Sequence, residues 1–271
     1  MAIAKGIFKM NGAFGTASCY SLPGSDQMII RTKGGPSKRR MKVGPEFETV
    51  RKHQSEWKAC VMFSRAMKYA MGDVYNLADY NVSPVWNGLA KNIIKTDTEH
   101  LLGQRSLRVS EYRDELRGFS LNRNYPLNAV LAVLPEIKID KENLSASVVI
   151  AGINTANDLL NVRKLPYFRL VMSFGFISDI HYVAQDTGGI YVSDLNQANG
   201  LNKSCVTEWF SAQDNLPEIK LELQFRDTYQ SMVVQNLTCI LSLGIEFGTV
   251  GFASKIDPVK YSGAGKIMAV K

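Results

Sequence analysis

Glu218-Ile-Lys-Leu-Glu-Leu-Gln-Phe225 alternates polar and apolar side chains without a break. Successive residues of a strand point to opposite faces, so Ile219, Leu221, Leu223 and Phe225 share one side and the charged residues share the other. The reading is a half-buried strand of an antiparallel sheet, one face on a core and one in water. Segments of similar size surround it at 127–133, 145–151, 167–176, 189–193, 236–247 and 265–270. Strands at this density, without helical periodicity between them, predict an immunoglobulin-like β-sandwich over residues 119–271. The Cys…Trp…Cys spacing of a true immunoglobulin domain is not in the sequence.

Upstream of 119 the period changes. Pro45 suits a first helical position, and Glu46 and Glu48 complement the positive end of a helix dipole. Phe47, Val50, Trp57, Cys60, Val61, Met67 and Met71 recur at helical spacing and predict an amphipathic helix running to about Gly72. Ser83-Pro84 opens a second helix that carries Val85, Trp86, Leu89, Ile93 and Ile94. Thr96-Asp97 is read as the cap of a further short helical piece reaching Leu102, and the charged stretch 104–117 as loop plus a helical turn.

The opening of the chain predicts short strands at 6–10, 16–21 and 27–32, with turns at Asn11-Gly12 and at 22–26. A ribbon of this size is marginal alone in water. Gly34-Gly35-Pro36 resists helix, because glycine adds chain entropy and the residue before proline avoids the α region. An extended arm bearing Lys38, Arg39, Arg40 and Lys42 is expected to follow. The whole is an α+β chain in three parts: an N-terminal β-hairpin with an extended basic arm at 1–43, a central helical segment at 44–118, and the sandwich at 119–271.

The chain has 271 residues, 45% of them hydrophobic, enough for a substantial core. No run of about 18 apolar residues occurs, and the first ten residues lack the apolar stretch of a secretory signal, so a cytoplasmic protein away from membranes is expected. Cys19, Cys60, Cys205 and Cys239 are far apart and sit among apolar neighbours, which favours buried free thiols over a zinc site. The formal net charge is +7. It is local: residues 1–60 hold eleven Lys and Arg against four acids, while the rest of the chain holds 21 of each sign. His53, His100 and His181 have no histidine or cysteine at metal-ligand spacing. The glycine-rich pieces lack the Gly-Lys-Ser/Thr of a phosphate loop. Acidic pairs such as Glu46/Glu48 and Asp114-Glu115 have basic neighbours, as solvated or capping charges do. No catalytic residue, cofactor, metal or small-molecule substrate is therefore assigned.

The pieces Asn11-Gly-Ala-Phe-Gly-Thr16, Arg31-Thr-Lys-Gly-Gly-Pro-Ser37, Pro45-Glu-Phe-Glu-Thr-Val-Arg51, Ser55-Glu-Trp57, Lys95-Thr-Asp97, Gly103-Gln-Arg105, Gly118-Phe-Ser-Leu-Asn122 and Leu243-Gly-Ile-Glu-Phe247 run from end to end of the chain. Together they resemble a family of uncharacterised bacterial proteins of similar length. The resemblance implies no activity and assigns no functional residues.

Two uses of the basic segment compete. Its cations suit phosphates, which would make nucleic acid the partner and binding salt-sensitive, but it carries no aromatic side chain for stacking on bases. A marginal ribbon on an extended arm is suited to adding strands to a neighbouring subunit, and a chain basic at its start and neutral afterwards suits head-to-tail contacts. The expectation is a non-enzymatic structural protein that polymerises with itself. Arg31, Lys33, Gly34, Gly35, Pro36, Lys38, Arg39, Arg40 and Lys42 form one side of the joint, facing Asp114 or Glu115 of the next copy. Nucleic-acid binding or packaging is the alternative. A third reading, a sandwich that holds a carbohydrate or protein through its loops, has no particular residue in its favour at the level of sequence.

Overall fold

The structure is a computed structural model and describes residues 2–4, 11–21, 27–185, 188–226, 229 and 236–271. The strand expected at 6–10 and the turn expected at 22–26 lie outside the described residues. Two compact units make up the chain, Met1–Arg51 and Lys52–Lys271.

In the first unit β1 (Ala2–Ala4), β2 (Gly12–Phe14), β3 (Ala17–Ser21) and β4 (Met28–Thr32) form an antiparallel sheet in the order β1-β4-β3-β2. The β2–β3 turn is not made by Asn11-Gly12. Phe14 pairs with Ala17, so Gly15 and Thr16 form the loop, with Gly15 at φ +52°, where glycine carries no Cβ penalty. Asn11 instead closes the open end of the hairpin, its Oδ1 accepting the Ser21 N–H at 3.1 Å. The basic segment also departs from the expected extended arm. Residues 33–37 are irregular, but Lys38–Val43 forms a short helix, α1, because the Ser37 hydroxyl caps it and accepts the Arg40 N–H at 3.2 Å. A single 3₁₀ turn, Pro45–Phe47, leads into α2 (Glu48–Ala70), and the boundary between the units falls within that helix.

The larger unit is built around two long strands. β7 (Tyr167–Ile177) and β13 (Thr238–Val250) pair along eleven residues each, in a six-stranded antiparallel sheet completed by β10 (Asn202–Val206), β11 (Phe210–Ser211), β14 (Ile256–Pro258) and β15 (Ala264–Val270). A second sheet, β5 (Glu136–Asp140), β6 (Ser145–Ile150) and β12 (Ile219–Gln224), lies over one face. The opening stretch of the sequence is β12, and its apolar positions are the buried ones. A two-stranded hairpin of β8 (Ile180–Gln185) and β9 (Gly188–Ser193) completes the strands.

Both faces of the β7–β13 pair are buried, and they differ in size. Phe168, Leu170, Met172, Phe174 and Phe176 with Leu241, Leu243, Ile245 and Phe247 pack against Val148, Ile150, Leu221 and Leu223 of the second sheet. The opposite side offers Val171, Ser173, Gly175, Ile240, Ser242 and Gly244; there the 3₁₀ segment Gly72–Leu77 sits on the strands, and α2 and α3 (Ser83–Ile94) add Ala59, Phe63, Ala66, Met67, Ala70, Trp86 and Ile94 to the same core. A Cβ on Gly175 would run into the Ala70 and Leu201 carbonyl oxygens, so close helix approach depends on that glycine. Two facing antiparallel sheets are thus present, but helices occupy the outer face that an immunoglobulin sandwich leaves in water.

Two further expectations change. Residues 127–133 are not a strand: Pro126 stands at the N-cap of a single helical turn, α4 (Leu127–Val130). Thr96-Asp97 starts no helix; residues 104–117 are, as expected, loop with short helical turns, here two 3₁₀ turns, Val109–Glu111 and Arg113–Glu115. No helix among the described residues is long and apolar enough to cross a membrane.

Candidate functional site

The residues expected at a joint fall in two places. Arg31 is the penultimate residue of β4, its guanidinium 5.3 Å from the Tyr20 ring centre. The Lys33 N–H extends that ladder to the Thr16 carbonyl at 2.6 Å. Gly34, Gly35 and Pro36 then turn the chain, Gly35 at φ +102°, where a side chain would be strained. Of the α1 cations, Arg40 binds Glu46 at 2.7 Å, and that hydrogen bond holds the Glu46 carboxyl below its ordinary range. Arg51 Nη1 donates to the Met41 and Gly44 carbonyls at 2.9 and 2.8 Å, satisfying the last oxygens of α1 and fixing its end. Lys33, Lys38, Arg39 and Lys42 are exposed and make no ion pair among the described residues. A six-residue helix that buries none of its side chains is held by its caps, by the Arg40–Glu46 pair and by Arg51. Asp114 and Glu115 stand together on the second 3₁₀ turn of the larger unit, both exposed, Asp114 with Arg117 3.7 Å away.

A second constellation, buried in the larger unit, is not legible in the sequence. Glu56 on α2 is fully buried. Its Oε1 accepts from Arg105 Nε at 2.6 Å and from the Gly103 N–H at 3.0 Å, and its Oε2 from Arg105 Nη2 at 2.9 Å and Lys91 Nζ at 2.8 Å. Burial opposes its ionisation, but hydrogen bonds from Arg105, Lys91 and Gly103 outweigh it and bring the carboxyl down to about 2. Gly103, at φ +95°, makes the turn possible and its carbonyl accepts from the Tyr191 hydroxyl at 3.2 Å. Burial raises the Tyr191 phenol above its ordinary range. A few residues away Asp97 is also buried. Its Oδ1 accepts the Glu99 and His100 N–H groups at 3.0 and 3.3 Å, and its Oδ2 accepts from His100 Nδ1 and the Ser106 N–H, each at 2.7 Å. Burial again opposes ionisation, the four donors prevail, and the carboxyl falls to about 2.

Glu56, Asp97, Gly103 and Arg105 come from Ser55-Glu-Trp57, Lys95-Thr-Asp97 and Gly103-Gln-Arg105, three of the short pieces that carry the family resemblance. The charge on α2 looks like surface charge in sequence because only the partners at 91 and 105, on other elements, turn a glutamate into a core residue. Both carboxylates have their oxygens engaged by protein donors, so the arrangement ties α2, α3 and the 97–106 loop together. Asp97, Glu99 and His100 offer ligand atoms within 4.8 Å of one another. Glu99 is held by Arg108 and Asp97 by its four donors, which makes the group a loop clasp. His181 binds Asp194 at 3.1 Å on the β8–β9 hairpin, and His53 is exposed on α2. The cysteines described are free thiols; burial raises Cys60 and Cys239 to about 11, far from a reactive thiolate. Compared with known proteins, the chain matches no family model, no curated protein and no solved structure.

Proposed function

We propose that this is a non-enzymatic structural protein whose subunits join through the N-terminal unit. The observation that carries the proposal is the contrast between the edges of its sheets. Among the described residues no strand pairs the outer edge of β1 or of β2, and every residue of β2 is exposed, with Phe14 at its end. The larger unit covers part of the edges of its two facing sheets with side chains. Lys203 on β10 donates to the Gln224 carbonyl on β12 at 2.9 Å, and Lys271 beyond β15 donates to the Ile139 carbonyl on β5 at 3.0 Å, so a lysine spans each seam between the two sheets. Open edges accept strands and guarded ones do not.

The basic segment gives such a joint direction. Lys33, Lys38, Arg39 and Lys42, without an ion-pair partner among the described residues, meet acids of the next copy, with Asp114 and Glu115 as the exposed candidates, while the two facing sheets serve as the body of the subunit. Complementary charge of this kind sets register and encounter rate more than affinity. A head-to-tail contact then closes into a ring or continues as a filament. The family resemblance is part of this reading only as a prediction that relatives keep the same N-terminal arrangement.

The test is sedimentation velocity and negative-stain electron microscopy of the full chain beside Lys38→Glu/Arg39→Glu/Lys42→Glu. Assemblies in the parent that dissociate in the variant, with no excess absorbance at 260 nm, support the joint. A monomeric parent that co-purifies with nucleic acid and releases it in salt would transfer the cations to phosphates and overturn the proposal.

A further inference from the structure

Two adjoining clefts open on the larger unit, and Tyr261 and Gly263 belong to the wall of both. The first also presents Tyr125, Asp79, Asn124 and Arg163; the second adds Tyr80 and Lys260. Tyr261 is 71% exposed and Tyr125 47% exposed, so two aromatic faces stand open to solvent at the same groove. Tyr261 also sits at φ +58°, a conformation that costs a non-glycine residue energy and is kept where the surroundings impose it. It is imposed here from both sides: the Val259 N–H binds the Phe247 carbonyl at 2.9 Å, and the Ser262 hydroxyl binds the Val259 carbonyl at 2.6 Å, closing a tight loop with Tyr261 at its tip.

The charges of the first cleft limit what fits. Asp79 is oriented by the backbone, its carboxylate accepting the Arg123 N–H at 3.2 and 3.1 Å and the Asn124 N–H at 3.4 Å. Arg163 spends one donor on the Lys260 carbonyl at 3.3 Å and has the rest of its fork available. Neither side chain is in an ion pair among the described residues. A phosphate or carboxylate ligand would be repelled by Asp79, and an ammonium ligand by Arg163. A purely apolar ligand would bury both without partners, at a large cost. A neutral molecule with many hydroxyl groups and flat apolar faces meets neither repulsion, hydrogen-bonds both side chains and lies on the tyrosine rings.

We infer that this groove binds a neutral pyranose oligosaccharide, lying across Tyr261 with one sugar ring against Tyr125 and its hydroxyls on Asp79, Asn124 and Arg163. The site belongs to the larger unit alone and does not depend on the proposal for the N-terminal unit. Sequence offered no residue for a carbohydrate because Asp79, Tyr125, Arg163 and Tyr261 come from four separate loops.

The experiment is saturation-transfer-difference NMR of the full chain with a panel of cello-, xylo-, manno-, malto- and laminari-hexaose at millimolar concentration, followed by titration of any hexaose that responds. Tyr261→Ala, Tyr125→Ala and Asp79→Asn are measured beside the parent, with circular dichroism to confirm folding. The expected result is a signal on ring protons of at least one hexaose, and an affinity about tenfold weaker in Tyr261→Ala. A panel without signal would overturn the inference, as would binding that both tyrosine variants leave unchanged. So would adenosine binding at these tyrosines while no hexaose binds, since a nucleoside would then be the occupant.

Discussion

Glu56→Gln keeps the shape of the most buried acid and removes its charge. The variant leaves Arg105 and Lys91 with a single neutral acceptor inside the helix–loop junction, and breaking a buried pair from one side costs about 3 kcal/mol or more. Urea unfolding at neutral pH measures it directly. The pH dependence tests the same group. The folded carboxyl lies at about 2, below its value in the unfolded chain, so the unfolded chain takes up the proton first as pH falls. Its contribution is therefore complete above the unfolded pKa and is lost between about pH 5 and 2. Asp97 adds in the same direction, being held at about 2 by four donors. The parent should lose stability steeply through that window, and Glu56→Gln should show a shallower slope. An unchanged slope would mean that other carboxylates govern acid unfolding.

At the scale of elements, β7 and β13 show why parts of the fold are legible and parts are not. In β12 polar residues mark the wet face, so the alternation can be read from sequence. In β7 both faces are buried and the alternation is between large and small, Phe174 against Gly175 and Ser173. The strand is recognisable by its apolar run, but its second partner is not, because small residues signal a close neighbour only after that neighbour is known. The expected α2 stripe holds only in part: Cys60, Met67 and Met71 are buried, but Val50, Trp57 and Val61 are exposed, while Glu56, Ala59, Ala66 and Ala70 face inward. Hydrophobicity ranks tryptophan above alanine, whereas packing on a strand of glycine and serine selects the small side chain. Helix α4 escaped detection because four apolar-rich residues after a proline fit either a strand or one helical turn. The contact itself can be tested. Gly175→Ala places a methyl group against the Ala70 and Leu201 carbonyls, which belong to backbone and cannot rotate away. A loss of about 1–3 kcal/mol is expected from such overpacking. Amide exchange should accelerate in the last turns of α2 ahead of the β5–β6–β12 sheet. A stable variant with unchanged exchange would show that the helix does not rest on that strand.

At the scale of the whole molecule, the proposed assembly gives charge and edge separable contributions. Exposed charges lose range as salt rises, with a Debye length of about 10 Å at 0.1 M, so the rate of assembly should fall with ionic strength before its extent does. The edge contribution depends on backbone donors and is insensitive to salt. In the β2–β3 hairpin the two-residue loop makes Phe14↔Ala17 the hydrogen-bonded pair, so the antiparallel alternation leaves the Ala13 N–H pointing away from β3. Proline at 13 therefore removes a donor from the open edge without breaking the ladder behind it, the way natural edge strands are guarded. Ala13→Pro should fold like the parent and fail to assemble at any salt concentration, as read by sedimentation velocity. The α1 charge-reversal variant should instead be dissociated at low salt and regain assembly as salt screens its repulsion. If Ala13→Pro assembled as the parent does, β2 would not be the accepting edge, and β1 would be the strand to block next.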